Sequence, residues 1–165
     1  MTTFVSVGNT TQSFSRLIDA VLKIASRLPQ PVVVQHGNTM VQGVGCVAKP
    51  FLEMEDFGQF VAQAELLILH AGAGSVIHAI QAGKIPVVMP RLAKYGEHVD
   101  DHQLEFARAL AESGKIVMAE EPGDLNDAVA EVLRQQRSTQ ASHETPRMVG
   151  LIGTILSKYA QGVGR

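Results

Sequence analysis

LLILHAGAGSVIHAIQAGKIPVVMP, residues 66–90, is the stretch whose reading decides the fold. Leu66-Leu67-Ile68-Leu69 is a short, bulky apolar run that suits a buried strand. His70 follows at the strand's carboxyl end, then Gly72, Gly74 and Ser75. Val76, Ile77, Ala79 and Ile80 recur at helical spacing, and Gly83 stands where a helix C-cap belongs. A second apolar strand, Ile85 to Met89, begins at once. The unit is strand, glycine loop, helix, strand.

Such a unit sets backbone N–H groups at a helix N-terminus, where they lack intrahelical acceptors and the helix dipole adds partial positive charge. Glycines let a phosphate approach the backbone, Ser75 can donate one more hydrogen bond, and His70 can donate to the same group. A phosphate or diphosphate site is one reading. A plain tight turn between strand and helix is the other, because short Gly-x-Gly turns are common in α/β folds.

Working outward, Phe4-Val5-Ser6-Val7 reads as a first strand that runs into a polar loop, Gly8-Asn9-Thr10-Thr11. Phe14, Leu17, Ile18, Val21, Leu22, Ile24 and Ala25 mark an amphipathic helix over 13–27, stopped by Pro29 and Pro31. Val32-Val33-Val34 is a second buried strand, ending in Gln35-His36-Gly37-Asn38. Residues 43–47, GVGCV, are a weak third strand, and Asp56 is placed to cap a helix through Phe57, Phe60 and Val61. Beyond Pro90 a polar loop leads to a helix carrying Leu104, Ala107, Leu110 and Ala111, closed by Gly114. Ile116-Val117-Met118 is a further strand, and Asp124 caps a helix with Leu125, Ala128, Val129, Val132 and Leu133 inward. Residues 1–134 thus form the α/β body, 135–145 (QQRSTQASHET) a polar linker, and 146–165 a C-terminal helix with Met148, Leu151, Ile152, Ile155 and Leu156. That helix is apolar enough to need the body or a partner to pack on.

Strands alternating with helices imply right-handed crossovers and a parallel sheet covered on both faces. Ligands bind such sheets beyond the strands' carboxyl ends. By that rule Gly8-Asn9-Thr10, Gln35-His36-Gly37, His70 to Ser75 and the loop after Pro90 share one rim.

Composition narrows the classes. A chain of 165 residues with 45% hydrophobic and 18% charged residues describes one globular domain. A net charge of -2 argues against a dedicated nucleic-acid binder, which needs a basic stripe. Cys46 is the one cysteine, so no internal disulfide framework exists and a reducing, cytoplasmic setting fits. The opening MTTFVSVGNTTQ has no basic segment followed by a long apolar run, so no signal peptide is expected. No segment approaches the ~18 uninterrupted apolar residues of a transmembrane helix.

HAGAGSVIHAIQAGKIPVVMPRLAKYGEHVDDHQLEFARALAESGKI, together with the opening FVSVGNTT, resembles the donor-nucleotide half of GT-B glycosyltransferases of family 28. That family includes bacterial peptidoglycan N-acetylglucosaminyltransferases and the small catalytic subunit that adds the second GlcNAc to dolichol-linked GlcNAc. The length resembles the split enzymes of exopolysaccharide operons. The resemblance implies a Rossmann-like half-domain that takes a UDP-sugar, uses no cofactor and no metal, and transfers a hexose with inversion. It implies that His70 and the Gly72, Gly74 and Ser75 loop hold the donor diphosphate, with Gly8, Asn9 and Thr10 facing the same group. His70 and Asn9 are the expected catalytic residues, His70 helping if protonated or as an N–H donor when neutral. Phe51 and Leu52 resemble the segment that holds uracil. Gln103 resembles the glutamine that binds the transferred sugar, with Asp100 and His102 beside it.

One position departs from the family pattern. Where a glutamate usually accepts from the ribose hydroxyls, this chain has His78, and a neutral imidazole accepts one hydrogen bond where a carboxylate accepts two. The general base is not identifiable. The resemblance implies a membrane-anchored partner subunit that binds a lipid-linked saccharide acceptor and recruits this chain to the cytoplasmic face.

Competing readings stand beside this one. His98 and His102, at i and i+4 with acids nearby, can bind zinc, or simply form an acidic first turn that suits the helix dipole. Arg91 and Lys94 follow a strand end and can meet a phosphate or sugar acid, or pair on the surface. A dinucleotide-dependent oxidoreductase needs Gly-x-Gly-x-x-Gly, and the third position here is Ile77. A non-catalytic nucleotide-sugar sensor or scaffold would use the same pocket.

Overall fold

A computed structural model describes residues 2–43 and 45–141. The order along the chain is β1 (Thr3–Ser6), α1 (Ser15–Ile24), β2 (Val32–Gln35), β3 (Val47–Lys49), α2 (Met54–Gln63), β4 (Leu66–His70), α3 (Ala73–Gln81), β5 (Val87–Met89), α4 (His102–Glu112), β6 (Val117–Met118) and α5 (Leu125–Ala141). The six strands are all parallel, in the order β3-β2-β1-β4-β5-β6.

The apolar runs form these strands because both faces of the sheet are covered. Val5, Val34 and Ile68 lie in one row and pack beneath α1 and α5, with Leu17, Val21, Leu125 and Val132. Phe4, Val33 and Leu67 lie in the adjacent row and pack beneath α2 and α3, with Phe57, Val61 and Ala79. Val88 meets Val76, Phe106 and Leu110 of α3 and α4. Side chains alternate across each strand, so every residue of β1, β2 and β4 is buried. Cys46 is half-buried against the α1 side of the core.

Several boundaries differ from the sequence reading. The third strand lies at Val47–Lys49, starting at the last residue of the GVGCV stretch, because it registers against Val33–Gln35. β5 starts at Val87, since Pro86 carries no amide hydrogen for the ladder. α2 begins at Met54, which leaves Asp56 in its first turn and not at its cap. Before α5, Asp124 accepts from the Glu121 amide at 2.9 Å within a short turn, so the chain is capped at Glu121, three residues earlier than expected. The linker reading of 135–145 is corrected over its first part. α5 continues unbroken to Ala141, because QQRSTQA is polar but holds no glycine or proline to stop a helix. The remainder of that linker and the C-terminal helix expected at 146–165 lie outside the described residues. Among the described residues, no helix is long and apolar enough to cross a membrane.

The strand order turns round at β1, which pairs with both β2 and β4. Connections leave in opposite directions there, so the loops after β1 and β4 part and open a crevice at the carboxyl ends.

Candidate functional site

That crevice is a cavity of about 470 Å³. Ser6, Gly8 and Asn9 line it from β1 and its loop, and Gln35 from β2. Leu52, Glu53, Met54 and Phe57 close it from the α2 side, and His70, Gly72, Gly74, Ser75 and His78 from β4 and α3.

His70 is the last residue of β4, and the site is packed around its ring. A Cβ added at Gly8 would lie 2.5 Å from His70 Nε2, and one at Gly72 would lie 2.1 Å away. Only glycine leaves room for the imidazole on both sides. Gly8 also has φ +80°, a backbone region costly for a side-chain-bearing residue. Among the described residues, His70 Nδ1 is buried with no hydrogen-bond partner. Burial lowers the His70 pKa to about 4, helped by the positive charge of Arg91 and, more weakly, by His98, while the Ser6 backbone opposes the shift. The ring is therefore neutral at physiological pH. Of the two roles expected of His70, the free site favours the neutral N–H donor over the cation.

α3 starts directly after Gly72, and its first internal bond runs from Val76 N–H to the Gly72 carbonyl. The N–H groups of Ala73, Gly74 and Ser75 therefore have no acceptor within the helix. They stand at the cavity's edge with the positive end of the helix dipole. His78 sits one turn further on. Its ring meets Phe57 edge-on at 5.8 Å, which fixes it on the wall.

The expected site residues divide into two groups. Gly8, Asn9, Leu52, His70, Gly72, Gly74, Ser75 and His78 share the cavity. The others do not line it. Phe51 is half exposed at the rim, beside Gly37. Thr10 has its hydroxyl buried, with no partner among the described residues. Asp100 bridges two imidazoles, 3.1 Å from His98 Nδ1 and 3.0 Å from His102 Nδ1. The His102 backbone N–H, donating to that carboxylate at 3.0 Å, holds it below the usual carboxylate range. Gln103 accepts from the Arg91 backbone N–H at 3.1 Å, which engages its side-chain oxygen.

Arg91 is neither a free phosphate ligand nor a surface ion. It is fully buried and donates to the carbonyls of Val7 (2.7 Å), Gln12 (3.0 Å), Ser13 (3.3 Å) and Glu97 (3.2 Å). Its guanidinium lies over the Phe14 ring, 4.7 Å from the centroid. Arg16 grips Glu97 through Nε (3.0 Å) and Nη2 (2.9 Å), and Glu97 also accepts from the Leu92 amide. Together they tie the glycine loop after β1 to the loop after β5.

Sequence reasoning placed Gln35 on the rim, and the cavity includes it, but did not single out Ser6, Glu53, Met54 and Phe57. Ser6 had a signal, since it ends a strand at the turning point of the sheet. The α2 residues had none, because only the packing of that helix brings them to the cavity.

The family model for the glycosyltransferase family 28 C-terminal domain matches residues 2–150. A UDP-N-acetylglucosamine--N-acetylmuramyl-(pentapeptide) pyrophosphoryl-undecaprenol N-acetylglucosamine transferase of Ralstonia nicotianae is 33% identical over 99 residues, 58% of this chain and 26% of that protein. The UDP-N-acetylglucosamine transferase subunit ALG13 of Yarrowia lipolytica is 39% identical over 56 residues, 34% of this chain and 26% of that protein. The crystal structure of the glycotransferase of kitacinnamycin superimposes on 94% of this chain and 39% of its own, with a TM-score of 0.65 and 18% identity, a likeness of fold. The chain spans about a quarter of the length of the curated relatives it matches.

Proposed function

The chain belongs to the glycosyltransferase family 28 C-terminal domain family, and on that premise we propose that it is the donor-binding half of a hexosyltransferase. It takes a UDP-sugar in the β1–β4 cavity and passes the hexose, with inversion, to a lipid-linked saccharide in exopolysaccharide or glycan synthesis. One observation carries the reading. Two glycines packed against a neutral histidine place bare backbone, a helix N-terminus and Asn9 around one cavity at the turning point of the sheet.

Negative charge grows on the leaving diphosphate as the glycosidic bond breaks. N–H donors already fixed in place stabilise it without reorganising, which supports a reaction that needs no metal ion. His70 contributes a hydrogen bond and not a charge. Asn9 contributes its side-chain amide. His78 offers the ribose a single acceptor. The base that deprotonates the acceptor hydroxyl comes from a membrane-anchored partner subunit, which also holds the acceptor. What supports that division is that one of the curated relatives is by name a subunit.

Titration calorimetry tests the reading. UDP and UDP-sugars are expected to bind and NAD is not; no heat with UDP would overturn the proposal. Coexpression with the membrane partner is then expected to give sugar transfer that survives EDTA. UDP binding without transfer in any such complex would favour the non-catalytic sensor or scaffold.

A further inference from the structure

Four polar groups at the cavity's floor form a chain in which each orientation is set by the one before. It starts at the Gly8 backbone N–H, which can only donate, and Ser6 Oγ accepts it at 3.2 Å. Ser6 is fully buried, and its own hydrogen finds one acceptor among the described residues, Gln35 Oε1 at 2.7 Å. With its oxygen engaged, Gln35 turns Nε2 to Asn9 and donates to Oδ1 at 3.0 Å. Asn9 Nδ2 then has no partner among the described residues, on an exposed residue that lines the cavity. The reverse order fails. Turning the Gln35 amide would leave the buried Ser6 hydrogen with no acceptor, and an unmade buried hydrogen bond is costly.

We propose that Ser6 and Gln35 are positioning residues that hold Asn9 as a hydrogen-bond donor to an anionic oxygen of the bound ligand. The proposal rests on the reading that a diphosphate occupies the cavity. A free asparagine turns either its oxygen or its NH2 to a ligand. The relay removes that choice and adds the Asn9 amide to the N–H groups at the start of α3. Gln35, 2% exposed, exerts its effect through Asn9.

The test is calorimetry on the full chain with UDP and with uridine, which lacks the diphosphate. Asn9→Ala is expected to weaken UDP about tenfold, the worth of one hydrogen bond to a charged group, and to leave uridine within about twofold. Gln35→Met is expected to weaken UDP severalfold alone and to add nothing in the Asn9→Ala background, because the two act as one unit. Should Gln35→Met not fold, Ser6→Ala carries the same cycle.

A second arm uses Gln35→Glu. Once ionised, the introduced carboxylate accepts from Ser6 but cannot donate to Asn9, so Asn9 turns its oxygen to the ligand and UDP binding falls. A protonated carboxyl can donate again, so affinity relative to the natural protein is expected to recover as pH falls from about 8 to about 5.5, buried carboxyls titrating high. Glu53, His70 and His78 of the cavity and Lys49 on the neighbouring strand are common to both proteins, so the ratio at each pH isolates the substituted position. Additive losses in the double variant, an unchanged UDP affinity in Asn9→Ala, or a ratio flat with pH overturn the relay. A natural chain that binds no UDP overturns the diphosphate reading itself, and the relay with it.

Discussion

His70 is a titratable group that the fold keeps uncharged, and that has a measurable cost in acid. Its pKa falls from 6.5 to about 4 on folding, mainly through burial and then through Arg91. Between those values the unfolded chain binds the proton and the folded chain does not, so stability rises with pH across that window and is level above it. The gap corresponds to roughly 3 kcal/mol, at ~1.4 kcal/mol per pH unit. Urea midpoints for the natural chain are expected to fall as pH drops from about 6.5 to about 4, and His70→Gln is expected to remove most of that slope. An equal slope in both proteins would place the acid sensitivity elsewhere. Gly72→Ala tests the packing on the same ring. Its backbone conformation suits alanine, so the only obstacle is the methyl group 2.1 Å from Nε2. The ring must move, and a loss of about 1–3 kcal/mol in urea is expected, with UDP binding falling alongside. At this scale the sequence showed the glycines and the histidine, because spacing is local. It could not show the protonation of His70, which depends first on burial by the folded chain and then on Arg91, a residue of the next loop.

Elements were legible wherever an apolar run or a helical period was long enough to stand alone. β1, β2 and β4 read directly from FVSV, VVV and LLIL, and Gly83 and Gly114 follow α3 and α4 as expected. The failures came where a tertiary partner decides the outcome. β3 is only three residues, mostly exposed, and forms because β2 offers it a ladder. The polar end of α5 reads as loop by composition, yet nothing in it stops a helix. The most consequential element was invisible in the sequence: the clamp that Arg91 makes between two loops. Removing it tests how the glycine loop is held. Arg91→Met keeps contact with Phe14 but leaves the carbonyls of Val7, Gln12, Ser13 and Glu97 without their donor. A loss of about 3–5 kcal/mol is expected by analogy with a broken buried ion pair, read from urea unfolding. Arg91→Lys should recover only part of it, since an ammonium cannot span four acceptors as a planar fork does. If Arg91→Met were as stable as the natural chain, the clamp would not be what holds the loop.

At the scale of the whole molecule, the distribution of exposed apolar side chains points the same way as the cavity. Met40, Phe51, Met54, Tyr95 and Val99 are all at least half exposed, and each lies on a loop or helix start at the carboxyl end of the sheet. Single exposed apolar residues are ordinary, but five on the connections at one end of the sheet suit a covered surface. That is where a second half would have to sit to bring an acceptor to the cavity, so the proposed partner subunit gains a location. Met40 is 73% exposed and Val99 is 82% exposed, and neither lines the cavity, so they separate docking from donor binding. Met40→Gln and Val99→Ser are expected to change stability by less than about 0.5 kcal/mol, as exposed substitutions do, and to leave UDP affinity unchanged. Transfer in the presence of the partner is expected to fall about fivefold or more for each substitution that removes an anchor worth over ~1 kcal/mol. Raising the partner concentration should restore the rate, because the defect is in assembly and not in chemistry. A loss of transfer that no partner concentration restores would mean that these side chains serve the reaction itself. Full transfer at limiting partner would mean that the second half docks on another face.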